Sequence, residues 1–135
     1  MINSALARHS HSGGGLTELV LTDNSPQQEA LIFSMAAHLS QQQDDRWLTW
    51  ITSDRKAASR LQGRTDINMK ALRLVYCGEP EDHLWMAWDA LTLGNSHTVI
   101  ASPGRLQEKA FSELERAAIA GSSQGILLRT RRGDF

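Results

Sequence analysis

Short apolar runs alternate with amphipathic stripes along the chain. Leu19, Val20 and Leu21 lie in a segment from Leu16 to Thr22 that Asp23-Asn24 stops, the pattern of a short buried strand. Ser25-Pro26-Gln27-Gln28 follows with an N-cap, a proline for the first helical position and a glutamine at the capping-box position. Leu31, Met35 and Leu39 are four residues apart and predict the apolar face of a helix running to about Ser40. Arg46 to Thr52 is the strongest strand, with Trp47, Thr49 and Ile51 on one side and Leu48, Trp50 and Thr52 on the other. Both sides are largely apolar, which places this strand inside a sheet under two helical layers.

The alternation continues to the last residues. Ala57, Ala58 and Leu61 predict a short helix ending near Gly63, and Ala71 to Cys77 a strand. Pro80 followed by Glu81 and Asp82 marks a helix start, because a missing amide costs nothing there and the acids oppose the positive end of the dipole. Leu84, Trp88 and Leu91 form its stripe and Gly94 its C-cap. Thr98 to Ala101 predicts a strand, Leu106, Ala110, Leu114 and Ala117 a helix that Gly121 ends, and Ile126 to Leu128 the last strand. Five strands alternating with four helices predict an α/β fold: a mainly parallel sheet flanked by helices. Residues 1–15, ending in three glycines, read as a flexible N-terminal leader, 16–131 as a single α/β domain and 132–135 as a solvated C-terminal tail.

Length and composition agree with one packed domain: 135 residues, 41% hydrophobic and 21% charged, argue against wholesale disorder. Fourteen Lys and Arg against 15 Asp and Glu give a net charge of -1, which removes the global attraction of a basic protein for phosphate backbones. The lone cysteine, Cys77, rules out an internal disulfide. No run of about 18 apolar residues predicts a membrane span. The expectation is a cytoplasmic protein without a membrane segment.

Catalytic patterns fail on their own chemistry. A phosphate loop after the first strand needs glycines and a Gly-Lys-Ser/Thr end, whereas Thr22 to Gln28 has neither glycine nor lysine, and Pro26 deletes an amide. Gly121-Ser122-Ser123-Gln124-Gly125 fits G-x-S-x-G, but a nucleophile elbow runs strand to helix and this segment runs helix to strand. Cys77, Asp82 and His83 are weighed as a thiol, acid and base, with a buried cysteine and a surface histidine preferred. His9, His11 and His38 are too weakly spaced for a metal site, and the pairs Asp44-Asp45 and Glu81-Asp82 read as helix ends. No cofactor, metal or catalytic residue is expected.

Surface features point to binding instead. From Arg46 to Arg73 there are seven basic residues against Asp54 and Asp66, a local excess of +5. The four tryptophans, Trp47, Trp50, Trp85 and Trp88, are expected mostly in the core, any exposed one beside an arginine becoming an interface anchor. A nucleic-acid-binding adaptor using this local basic surface is the alternative, weakened by poor interleaving of aromatic and basic residues.

Three stretches carry a family resemblance: Arg46-Trp47-Leu48-Thr49-Trp50-Ile51-Thr52, Ala90 to Ile100 with its Leu-x-x-Gly-Asn signature, and Ala120-Gly121-Ser122-Ser123-Gln124-Gly125. From about Leu16 to Arg131 the chain resembles the bacterial SulA family of cell division inhibitors. The resemblance implies a RecA-like core without a nucleotide-binding phosphate loop. It also implies an inhibitor, induced by DNA damage, that binds the tubulin-like GTPase FtsZ and blocks its polymerisation and GTPase activity. Family positions implicated in inhibition correspond to Arg46, Ile51, Leu61 and Lys70. Arg46 would make a charge-assisted contact, Ile51 and Leu61 would supply or shape an apolar one, and Lys70 would add electrostatic attraction. Leu61 replaces a tryptophan of the best-known member. Homodimerisation through a sheet edge, and turnover by an ATP-dependent cytoplasmic protease, are further implied.

Overall fold

The computed structural model describes residues 13–23 and 25–131. Its elements run β1 (Gly15–Leu21), α1 (Pro26–Ser40), β2 (Trp47–Thr52), α2 (Arg55–Gln62), β3 (Leu72–Tyr76), a 3₁₀ turn (Pro80–Asp82), α3 (His83–Leu93), β4 (Ser96–Ala101), α4 (Glu108–Ala120) and β5 (Gln124–Thr130). The five strands form one sheet in the order β1-β5-β4-β2-β3, and every pairing is parallel. Successive strands must therefore return through the helices, and all strand starts gather on one rim of the sheet and all strand ends on the other.

Local chemistry explains the main boundaries. Ser25 caps α1, its Oγ accepting the Gln28 amide at 3.3 Å with Pro26 in the first turn. Asp54 caps α2 by accepting the Lys56 amide at 2.9 Å. Gly94 closes α3 in the left-handed conformation at φ 76°. The acids after Pro80 do open a helical segment, which begins as a 3₁₀ turn. Pairing in β1 begins at Gly15, within the three glycines read as leader, where the Gly15 amide donates to the Ser123 carbonyl at 3.1 Å. The preceding Gly14, at φ 84°, leaves no room for a Cβ, which would lie 2.5 Å from the Ala118 carbonyl oxygen. Residues 1–12, with His9 and His11, and the tail 132–135 lie outside the described residues.

Each sheet face has its own apolar layer. One joins Leu48, Trp50, Ile100, Ile126 and Leu128 to Ile32, Phe33 and Ala36 of α1 and Leu61 of α2. The other joins Leu16, Ile51, Val99 and Leu127 to Ala87 and Leu91 of α3 and Leu114 and Ala118 of α4. Burial of each large side chain contributes about 1.5–3 kcal/mol, so these two layers supply most of the driving force. Met35, Leu39 and Leu91 are buried as expected, but each of the two stripes loses one member. Leu31 is exposed while Ile32, Phe33, Met35 and Ala36 turn inward, and Trp88 is exposed while His83, Ala87, Ala90 and Leu91 are buried. Among the tryptophans only Trp50 is core. Trp47, Trp85 and Trp88 are 39%, 59% and 39% exposed, which corrects the expectation of mostly buried indoles.

Candidate protein-interaction surface

Arg46 and Lys70 precede adjacent parallel strands, β2 and β3, and so share the amino rim of the sheet. Leu61 closes on the same side, because α2 runs back from the carboxyl rim to deliver the chain to β3. Ile51 lies far along β2, toward the other rim. Three of the four family-implied positions are thus drawn toward one end of the molecule, while only Arg46 and Lys70 offer polar groups to solvent there.

The Arg46 guanidinium is held on two sides. Its Nε and Nη2 donate to the two Asp44 carboxylate oxygens at 3.1 and 3.0 Å, and Nη1 donates to the Ser122 carbonyl at 2.8 Å. Asp44 Oδ1 also accepts the Arg46 backbone amide at 2.9 Å. Side-chain hydrogen bonds from Arg46 hold the Asp44 carboxyl at about 2, well below the usual carboxylate range. Asp44 therefore orders the approach to β2; it does not close α1, which ends at Ser40 with Gln41 as its cap. This Asp-x-Arg spacing was available in the sequence as a local ion pair.

Ile51 and Leu61 are each 1% exposed. Neither side chain reaches a partner directly, so of the two roles implied for them only shaping the surface is compatible with their burial. Lys70 is exposed, its amide fixed by Asn68 Oδ1 at 3.2 Å. Near it Trp47 and Met69, each 39% exposed, give the rim apolar area.

The basic excess between Arg46 and Arg73 is partly offset in three dimensions. Arg46 pairs with Asp44, Arg60 with Glu29 and Asp54, and Arg64 with Asp66. Asp44 and Glu29 lie outside the sequence window, which is why its count overstated the charge. Arg55 instead lies 4.2 Å over the Tyr76 ring. This fragmented charge is a poor track for a polyanionic backbone.

The carboxyl rim, where an α/β sheet of this type usually holds a nucleotide, has a cleft of about 390 Å³. Asp23, Glu29 and Asp54 line it, and its Arg60 already donates bidentately to Glu29 at 2.7 Å. Three acids facing a committed arginine oppose a phosphate group, in agreement with the missing glycine-rich loop. The serine of the G-x-S-x-G match is also committed. Ser123 is fully buried and its hydroxyl donates to the Ser96 carbonyl at 2.7 Å. Cys77 donates its thiol to the Glu79 carbonyl at 3.1 Å, while His83 Nε2 accepts the Ser102 amide at 2.9 Å. His83 is buried, contrary to the surface position preferred for it, and no thiol–imidazole pair forms. Among the described residues no cluster of His, Cys, Asp and Glu is arranged to hold a metal ion, and no helix is long and apolar enough to cross a membrane.

No family model matches the chain. The cell division inhibitor SulA of Pseudomonas aeruginosa is 31% identical over 99 residues, covering 73% of this chain and 62% of that protein. The cell division inhibitor SulA of Serratia marcescens is 25% identical over 119 residues, covering 88% of this chain and 70% of that protein. The crystal structure of SulA from Pseudomonas aeruginosa superposes with a TM-score of 0.78 at 30% identity, over 85% of this chain and 97% of the solved one. In sequence the match thus spans less than two-thirds of the full Pseudomonas protein, and in space nearly all of its solved chain. The shared parallel sheet and its flanking helices are the RecA-like SulA architecture, and the chain belongs to the SulA family of bacterial cell division inhibitors.

Proposed function

We propose that this chain is a non-enzymatic inhibitor of bacterial cell division that acts in the cytoplasm during the DNA-damage response by binding FtsZ. The observation that carries the proposal is its likeness to the solved SulA chain, at 30% identity over 97% of that chain. Occupation of the FtsZ face that contacts the next subunit stops longitudinal assembly. GTP hydrolysis then falls, because its site is completed only between subunits.

The contact surface is the amino rim. Arg46 orders the Asp44–Ser122 junction and presents the edge of its guanidinium, Lys70 adds an exposed cation, Leu61 supports the backbone from beneath, and Ile51 acts at a distance by fixing β2 in the core. A preformed surface of this kind avoids an ordering cost on binding. Self-association through the edge strands β1 or β3, and turnover by an ATP-dependent cytoplasmic protease, belong to the same proposal at a finer level.

Equimolar protein added to purified FtsZ with GTP suppresses polymer light scattering and phosphate release together, and Arg46→Ala, folded by circular dichroism, does so less. Unchanged polymerisation in the presence of folded, soluble wild-type protein rejects the proposal.

A further inference from the structure

Arg73 is the second residue of β3 and lies on the sheet face covered by α3. Its half-buried guanidinium meets only neutral side-chain oxygens. Nε donates to Thr49 Oγ1 at 3.2 Å, and Nη2 donates to Asn95 Oδ1 at 3.3 Å and to Ser96 Oγ at 3.2 Å. Thr49 and Ser96 are themselves joined by a buried hydroxyl–hydroxyl hydrogen bond of 2.7 Å. Arg46, Arg60, Arg64 and Arg129 all have carboxylate partners, whereas Arg73 has none among the described residues.

Arg73 lines a groove of about 240 Å³ between α3 and β3. Ile51, Val75, Met86, Ala90 and Leu93 form its apolar walls. Asp89 also lines it, but is exposed and forms no ion pair with Arg73. A partly desolvated guanidinium without a counter-charge is held at a cost that an incoming carboxylate removes. Its planar donors suit that group in particular, and the apolar walls strengthen the attraction relative to open water. Beyond the wall, exposed Leu93 and the Trp85–Trp88 pair, with ring centroids 5.8 Å apart, extend the apolar area.

We propose that this groove receives an acidic side chain with apolar neighbours from the partner protein, and that Arg73 anchors it. The inference rests on FtsZ being that partner and extends the contact from the amino rim, where Asn95 leads into β4, onto the α3 face. Arg73 is the half-buried charge of the groove and Asp89 the exposed, solvent-screened one, so complementarity in the less hydrated part of the groove selects an acidic side chain.

The test is the affinity of labelled FtsZ for wild-type protein, Arg73→Gln and Leu93→Glu, with thermal midpoints measured alongside. Leu93 is 61% exposed, so its substitution leaves the fold intact while placing a carboxylate on the groove wall. Both variants bind roughly tenfold or more weakly, and Leu93→Glu keeps the wild-type midpoint. Wild-type affinity in Leu93→Glu overturns the inference whatever Arg73→Gln does, because loss in the arginine variant alone then reflects the Thr49–Ser96 network. Failure of the wild-type protein to bind FtsZ overturns the functional proposal as well.

Discussion

Arg46 Nη1 and the Ser122 carbonyl oxygen lie 2.8 Å apart, joining residues separated by 76 positions in the sequence. Ser122 has φ 51°, a left-handed conformation uncommon outside glycine and asparagine, and the arginine steadies this turn from across the rim. Arg46→Lys keeps the charge but loses the fork that spans Asp44 and Ser122 together. Urea denaturation of Arg46→Lys is expected to show a loss of about 1 kcal/mol, with weaker suppression of FtsZ scattering. Wild-type stability and inhibition in this variant would show that charge alone suffices.

Substitutions at Leu61 and Lys70 test whether support and contact are separable in the proposed surface. Leu61→Ala empties a fully buried site and is expected to cost about 2–4 kcal/mol, visible as a lower denaturation midpoint. Lys70→Ala is expected to stay within about 0.5 kcal/mol of wild type while slowing association with FtsZ, more at low salt than at high. Stopped-flow association at two ionic strengths distinguishes the two behaviours.

Acid acts on the fold through His83 and Asp44. Burial lowers the His83 imidazole below its ordinary value, and Nε2 must be unprotonated to accept the Ser102 amide. A lowered folded value means that stability is complete above the unfolded value of about 6.5 and declines as pH falls through it toward the folded one. His97 acts in the same direction, mainly through burial, with Asp44 opposing and Arg46 reinforcing the shift. The urea midpoint is therefore expected to fall from pH 7 to pH 5, and less steeply in His83→Gln, whose amide oxygen can accept the same hydrogen bond. An equal slope in the variant would remove His83 from the account.

The Asp44 contribution is lost at lower pH. Its carboxyl titrates at about 2 in the folded chain against an ordinary 3.8, so its stabilisation is present above the ordinary value and disappears as pH falls through about 2. An exposed pair of this kind contributes at most about 1 kcal/mol. Asp44→Asn should flatten that acid limb in a fluorescence-detected titration.

Gly121, the C-cap of α4, packs directly against the backbone of α3. A Cβ there would lie 1.9 Å from the Leu91 carbonyl oxygen, so Gly121→Ala must force the helices apart. The loss is expected to exceed about 2 kcal/mol, with reduced amide protection in α3 by hydrogen exchange.

The alternation of strands and helices was legible because each element carried a local signal, such as the Ser25 cap, Pro80 or Gly94. Facing was harder to read. The stripe through Leu31 and the one through Trp88 each fit helical spacing, yet Ile32, Phe33 and Ala36 compete with Leu31 for the inner face of α1, and Ala87 and Ala90 take the place next to the sheet that Trp88 was expected to fill. Charge was overcounted because Asp44 and Glu29 lie beyond the counted stretch; Asp44 is a local partner of Arg46, whereas Glu29 reaches Arg60 only after folding. The apolar pattern of β2 and α2 already pointed Ile51 and Leu61 inward, and their burial leaves the resemblance-implied role at these positions an indirect one. Spacing could not reveal the Arg73 network, which brings together three separate strands and the loop before β4.

Because every strand points the same way, the two ends of the described chain leave the domain on opposite sides. Gly13 approaches β1 beside the turn that Arg46 braces, whereas Arg131 follows β5 at the far end. A fluorophore or affinity handle joined ahead of the domain therefore starts next to the proposed docking face and risks obstructing it. One joined behind the domain starts at the opposite rim, away from the proposed contact surface, which makes it the better attachment point for testing FtsZ binding.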